Sequence, residues 1–137
     1  MQLSPLQLKQ YWVTSLGFAP CEHFDPESDL DLKFDSIKNH VNIRYVEEPV
    51  CCWQVDLSLA HEPGEEENAP YRYQIQVAGF FTVDEGIPEE KVKNIVKVNG
   101  ASLLFGIARE QLRAALSSGP YPSVLLPSVS FRDLVEE

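Results

Sequence analysis

The chain has 137 residues, of which 44% are apolar, and its 21 acidic and 11 basic side chains give a formal net charge of −10. A chain of this length is expected to form a single domain, residues 1–137, with a hydrophobic core of its own. The negative charge argues against nucleic acid or an anionic membrane surface as a partner, and no apolar run is long enough to cross a bilayer, so we expect a cytoplasmic protein.

Four segments show the alternation of apolar and polar residues that is typical of β-strands. The first covers residues 8–18, the second 41–45, the third 51–61 and the fourth 71–83. In the first strand, one face is predicted to carry Trp12, Thr14, Leu16 and Phe18. Residues 19–37, between the first two strands, are rich in proline and acidic side chains and are predicted to form a long surface crossover.

The C-terminal half of the chain is predicted to begin with two helices. Pro88-Glu89-Glu90 starts a short helix over residues 88–97, and Asn99-Gly100 separates it from a long helix over residues 101–117. Three prolines make residues 121–131 a poor strand, so this tail is expected to lie over a surface. The chain is therefore predicted to be an α+β protein: a four-stranded antiparallel sheet followed by a short and a long helix, packed on the sheet or at an oligomer interface.

The chain has more large apolar side chains than one small sheet and one long helix are expected to bury. This surplus predicts self-association, a binding groove, or both. The predicted oligomer interface is the apolar stripe of the long helix, which consists of Leu104, Ile107, Ala108, Leu112 and Ala115. The candidate client-binding residues are the aromatic and aliphatic side chains Trp12, Tyr45, Trp53, Phe80, Tyr121, Leu125 and Leu126.

The sequence contains none of the common motifs of hydrolases, nucleotide-binding enzymes or metalloproteases, so no enzymatic activity is predicted. A metal site built from Cys51, Cys52 and His61 is disfavoured, because adjacent cysteines in a strand point to opposite faces. The spacing of Asp29 and Asp31 lacks the turn glycine of a calcium loop. We therefore expect no cofactor and no metal.

The strings LLFGIAREQL and GPYPSVLLPSVSFRDL, at the start of the long helix and after it, resemble the SecB family of bacterial protein-export chaperones. The resemblance extends from Tyr71 to Leu134. The matching positions are Leu104, Phe105, Ala108, Arg109, Glu110, Gly119, Tyr121, Pro122, Leu126, Val129 and Phe131. The sequence departs from the family pattern at Gly106-Ile107 and Pro127-Ser128.

The resemblance implies an ATP-independent chaperone, or holdase, that assembles as a dimer of dimers and binds unfolded polypeptides in apolar grooves. Its client is either a protein for export or a dedicated partner such as an antitoxin. The acidic residues with which that family docks the translocation motor SecA align with Ser15, Ala19 and Gln74, so motor docking is doubtful. The second helix of the family is largely replaced by residues 131–137. The alternatives are a non-chaperone assembly module on the same fold and, third, a small-molecule binder or an unrecognised enzyme.

Overall fold

The structure is a computed structural model that describes residues 1–135, and it consists of an antiparallel sheet with one long helix on one of its faces. The strands are β1 (Leu6–Pro20), β2 (Ile37–Val46), β3 (Cys52–His61) and β4 (Tyr71–Val83), and the helix is α1 (Glu89–Leu116). The strand order is β1-β4-β3-β2, so β1 and β2 are the two edges. The predicted α+β class with a four-stranded antiparallel sheet is confirmed.

The strands follow the predicted alternation most closely in the middle of the sheet. The fourth strand has the predicted bounds, and the third begins one residue later than predicted. The row of β3 and β4 that faces the helix is almost fully buried, and it includes Val55, Leu57, Leu59, Ile75, Val77 and Phe81. The two edge strands are longer than their predicted segments, because ladder pairing continues through residues that break the strict pattern.

The predicted face of the first strand is wrong at its N-terminal half. The pairing of β1 with β4 shifts between Leu8 and Gln10 and again between Val13 and Ser15, so Lys9 and Thr14 are extra residues in the ladder. Each extra residue reverses the side to which the following side chains point. Trp12 therefore pairs with Ala78 on the outer face, whereas Leu16 and Phe18 lie on the face that packs against the helix.

The predicted break between a short and a long helix does not exist, because α1 is continuous from Glu89 to Leu116. Gly100, predicted to lie at the break, is instead a residue of the helix interior, on the face that is buried against the sheet. A Cβ atom at this position would lie 3.0 Å from Cγ2 of Val55 on β3. The missing side chain thus allows close approach of helix and sheet, and it does not end the helix.

The segments outside the helix and strands run over the surface as predicted. Residues 121–131 form no strand, which agrees with their prolines. One-turn 3-10 helices lie at Phe34–Ser36 in the crossover and at Arg132–Leu134 near the end of the chain. Of the segment predicted to replace a second helix, residues 136–137 lie outside the described part of the chain. Within residues 1–135 no helix has both the length and the apolarity needed to span a bilayer.

Candidate functional site

A groove lined by both apolar and polar side chains runs beside the β2 edge of the sheet, between the crossover and the C-terminal tail. It consists of a middle hollow of about 370 Å³ and an end hollow of about 120 Å³. The two hollows meet at Phe34, Ile37 and Leu126, which line both of them. We refer to the two together as the groove.

Each wall of the groove comes from a different part of the chain. Leu59 of β3 and Phe105 of α1 line the middle hollow, and Tyr71 and Tyr73 of β4 line the end hollow. The crossover supplies Leu32, Phe34 and Asp35, and the tail supplies residues between Val124 and Asp133. A sheet and a helix thus form the floor, and two irregular segments form the walls.

The walls expose large apolar side chains to solvent. Leu125 is 62% exposed although it lies between the buried residues Val124 and Leu126, and Phe34 is 52% exposed. Such side chains gain little stability from the fold of this chain, because much of their surface remains in water. Exposed apolar surface that is concentrated along a groove is typical of a binding site.

The tail wall is held in place by the core residue Tyr71. Its hydroxyl accepts a hydrogen bond from the backbone N–H of Tyr121 (2.7 Å) and donates one to the Tyr121 carbonyl (2.8 Å). Gly119 lies so close to this hydroxyl that any side chain there would collide with it. Farther along the tail, the Ser123 hydroxyl donates to the Arg113 carbonyl at the end of the helix (2.7 Å). The direction in which the chain leaves the helix is therefore fixed.

A polar cluster lies beside the end hollow of the groove, which His61 lines. Oε1 of Glu67 lies 3.1 Å from Nε2 of His61 and 3.0 Å from the Ser36 hydroxyl, which itself lies 2.9 Å from the same histidine nitrogen. In a serine hydrolase the carboxylate and the serine contact opposite nitrogens of the imidazole, so that the histidine can relay a proton. Here both contact Nε2, so the cluster lacks the geometry of a catalytic triad.

The environment of the cluster shifts the pKa values of two groups. Burial alone would raise the pKa of the Glu67 carboxyl, but hydrogen bonds from the Gly64 and Lys33 amides, Ser36 and His61 outweigh it and lower this pKa. Burial raises the pKa of the Tyr73 hydroxyl, and the negative charge of Glu67 adds to the rise. Glu67 is therefore an anion, and Tyr73 a neutral phenol, at neutral pH.

The structure does not bring the candidate client-binding residues together. Only Leu125 and Leu126 line the groove, and Leu126 is buried. Tyr121 lies next to the groove and packs on Phe24, with 4.7 Å between the ring centroids.

The remaining candidates form two aromatic pairs away from the hollows. Tyr45 and Trp53, 5.2 Å apart, lie at the far end of the β2–β3 hairpin. Trp12 and Phe80, 5.1 Å apart, lie on the outer face of the sheet, opposite to the helix. The seven candidates therefore do not line one continuous groove, and their part in client binding stays a prediction.

The predicted interface residues are divided in a similar way. Leu104, Ala108 and Leu112 are fully buried against the sheet of their own chain, so they fill its core and are not available to a second subunit. Ile107 and Ala115 are half-buried at the side of this stripe. The large apolar side chain that the helix exposes to solvent is Leu103, which is 46% exposed.

The structure separates the cysteines from the histidine of the disfavoured metal site. Cys52 begins β3 and His61 ends it, so the two residues are nine positions apart along an extended strand. The pairing of His61 with Glu67 was not predicted from the sequence. One signal was present, because His61 continues the alternating row of Val55, Leu57 and Leu59 and is therefore expected to point into the core. The crossover wall had no such signal, since its position depends on contacts between distant loops.

The comparisons with protein families and curated proteins agree with one another. The family model described as "Preprotein translocase subunit SecB" matches residues 19–137. A protein-export protein SecB of Rhodospirillum centenum is 30% identical over 81 residues, which cover 59% of this chain and 48% of that protein. The corresponding protein of Granulibacter bethesdensis is 30% identical over 112 residues, which cover 77% of this chain and 61% of that protein. The chain thus spans about half of the first relative's length.

Solved structures share the fold at low sequence identity. A SecB-like chaperone of Mycobacterium tuberculosis, in complex with a ChAD peptide from the HigA1 antitoxin, matches with a TM-score of 0.70 and 13% identity. The match covers 92% of this chain and 91% of that one. A Streptococcus agalactiae protein of unknown function matches with a TM-score of 0.56 and 9% identity, over 89% of this chain and 96% of that one. At these identities the likeness concerns the fold.

Replacing Tyr71 with phenylalanine is expected to release the tail wall. The substitution removes the partner of both the N–H and the carbonyl of Tyr121, and unpartnered backbone groups of this kind cost about 1–3 kcal/mol. Denaturant unfolding and hydrogen exchange at the Tyr121 amide measure the loss. The control Tyr121→Phe leaves both backbone hydrogen bonds in place, so equal destabilisation by the two variants would contradict this account.

Proposed function

The chain belongs to the SecB family, and we propose that it is a cytoplasmic, non-catalytic chaperone. In this proposal the chain binds unfolded polypeptide segments in its groove and does so without nucleotide. The observation that carries the proposal is the groove itself, whose walls hold Leu125 and Phe34 in largely exposed positions. Passive binding of this kind lowers the concentration of free, aggregation-prone chains by mass action. The solved complex of the mycobacterial SecB-like chaperone with an antitoxin peptide supports a polypeptide as the ligand.

The charges around the groove favour clients in which apolar residues are accompanied by basic ones. Asp35 and Asp133 line the middle hollow. The crossover beside it carries further acidic side chains, at positions 25, 27, 29 and 31. Complementary charge mainly raises the rate of association and discriminates between partners, while the apolar contacts supply most of the affinity.

A substitution at Leu125 tests the groove with little risk to the fold. We expect Leu125→Ser to weaken the binding of a labelled apolar–basic peptide by roughly tenfold, because covering a leucine side chain contributes about 1.5–3 kcal/mol. The matched control is Val50→Ser, in the turn between β2 and β3, where the aliphatic side chain is 67% exposed. Fluorescence anisotropy measures the affinity of both variants.

Suppression of the aggregation of a chemically unfolded protein, without nucleotide, tests the activity itself. If stoichiometric wild-type chain leaves the aggregation unchanged and binds no peptide, the chaperone proposal fails and the assembly-module alternative replaces it.

We further propose that the chain forms homo-oligomers, a dimer of dimers in the fully assembled state, through the solvent face of α1. Leu103 is exposed at the centre of this face, and Ile107 is half-buried beside it. Gly106 faces open space: apart from its own chain neighbours and the adjoining helix backbone, no atom of residues 1–135 lies within 4 Å of the place where its Cβ would be. An exposed glycine in a helix costs about 1 kcal/mol relative to alanine, and a close contact with a second helix would explain it.

Light scattering at micromolar concentration tests the assembly. We expect the wild-type particle to exceed the 15.5 kDa of one chain and Leu103→Glu to reduce its mass, since the interface would then bury an unpaired charge. Val50→Glu places the same charge at an exposed position away from the helix and should leave the mass unchanged. A monomeric wild-type chain would refute the proposal.

We propose that binding to the SecA motor is weak or absent. Ser15 and Gln74 lie together on the outer face of the sheet, where their side chains are hydrogen-bonded over 2.9 Å, and neither is charged. The positions aligned with the motor-docking carboxylates of the family therefore offer no counter-charge to a basic partner. Calorimetric titration should detect no binding at low-micromolar concentrations; binding of that strength that is lost in salt would contradict the expectation. The double variant Ser15→Asp, Gln74→Glu is the matched test for a gain of binding.

A further inference from the structure

The crossover wall of the groove is not held in place by hydrophobic burial. Every residue from Asp25 to Asp35 is exposed, including Leu32 and Phe34, whose side chains line the groove. A segment of this kind keeps a defined position only if polar contacts fix its backbone. In this chain the contacts come from Glu67 and Asn68, two consecutive residues of the loop between β3 and β4. We call these two residues the clamp.

Glu67 holds the part of the wall that follows Leu32. Its Oε1 accepts hydrogen bonds from the Lys33 amide (2.7 Å) and the Ser36 hydroxyl (3.0 Å), and its Oε2 accepts one from the Gly64 amide of its own loop (2.7 Å). The carboxylate is buried, and His61 lies against it from the end of β3. Hydrogen bonds to a charged acceptor are stronger than neutral ones, particularly away from water.

Asn68 holds the part of the wall that precedes Leu32. Its side-chain amide donates to the carbonyls of Asp25 (3.0 Å) and Asp29 (2.9 Å), and its Oδ1 accepts from the Asp25 amide (2.9 Å). Its backbone also exchanges two hydrogen bonds with Asp31, of 3.1 Å and 3.0 Å. The wall is therefore fixed on both sides of the two apolar residues that it contributes to the groove.

We propose that Glu67 and Asn68 are positioning residues that set the width of the groove and thereby tune its affinity for a client segment. The inference rests on the proposed chaperone function, but the clamp itself does not touch the client. Holding Leu32 and Phe34 in place before binding removes part of the ordering cost from the binding step. The core beneath α1 does not include the clamp, so the fold and the affinity for client are separable.

The test compares Glu67→Gln with Glu66→Gln. Glutamine keeps the shape of Glu67 but replaces one acceptor oxygen with an NH₂ donor. This NH₂ group would face a donor that now bonds to the carboxylate, such as the amide of Lys33 or Gly64. Glu66 is exposed on the same loop, so its variant removes the same charge without altering the clamp. This control matters because loss of negative charge would by itself weaken the binding of a basic client.

Two measurements are made on each full-length variant. In Glu67→Gln, we expect amide hydrogen exchange to accelerate at residues 31–36 and at Gly64 but not in β3 or β4. We also expect the labelled apolar–basic peptide to bind about tenfold more weakly than it binds to Glu66→Gln, which corresponds to about 1.4 kcal/mol. If Glu67→Gln does not fold, Asn68→Ala takes its place, because its side-chain contacts lie on the surface.

The possible outcomes separate this inference from the proposed function. Equal peptide affinity of Glu67→Gln and Glu66→Gln overturns the inference and leaves the chaperone function intact. Unchanged exchange at residues 31–36 overturns the clamp itself. A wild-type chain that binds no peptide refutes both the proposed function and the tuning of affinity. In that case amide hydrogen exchange at residues 31–36 still decides whether the clamp positions the wall.

Discussion

The structure depends on the close contact between one helix and the two central strands. Gly100 of α1 lies against Val55 of β3, and on β4 the missing side chain of Gly79 makes room for Leu104, which a Cβ atom there would approach to 3.0 Å. A helix is about 10 Å across, whereas four strands with about 4.8 Å between neighbours form a wider surface. Seated over β3 and β4, the helix leaves the β2 flank incompletely covered. Accordingly Leu57 of β3 is buried, whereas its partner Val41 on β2 is only half-buried.

The groove is the consequence of that uncovered flank. Irregular segments cover it in part, and polar contacts from residues such as Tyr71 and Glu67 hold these segments in position. A groove built in this way can keep apolar side chains partly exposed, because the stability of the chain resides in the core under α1. The acidic side chains of the crossover place like charges beside the groove, and like charges oppose non-specific association between copies.

The sequence predicted the regular parts of the fold well, because the buried side chains of each strand and of the helix recur at regular spacing along the sequence. The period fails where a residue is added to one strand only: Thr14 bulges out of β1, and no local pattern in β1 distinguishes it from a paired residue. Gly100 was misread because glycine serves both to end helices and to let helices approach a neighbour closely. Leu125 and Leu126, chosen for their positions on the proline-rich tail, line the groove, and their role in client binding stays a prediction, whereas Phe34 was not among the candidates. Its place in the groove depends on hydrogen bonds across the loop from residues more than thirty positions away in the sequence.

The strand order has a consequence for the synthesis of the chain. The ladder partner of β1 is β4, from Leu6 opposite Val83 to Pro20 opposite Tyr71. A ribosome adds roughly 5–20 residues per second. Since β4 follows β1 by about fifty residues, the first strand remains unpaired for several seconds before its partner has been synthesised. During that interval Leu16 and Phe18 lack their ladder partners Ile75 and Tyr73. A chain that is proposed to bind unfolded polypeptides thus exposes an unpaired strand during its own synthesis, and this first strand can pair only after β4 has been made.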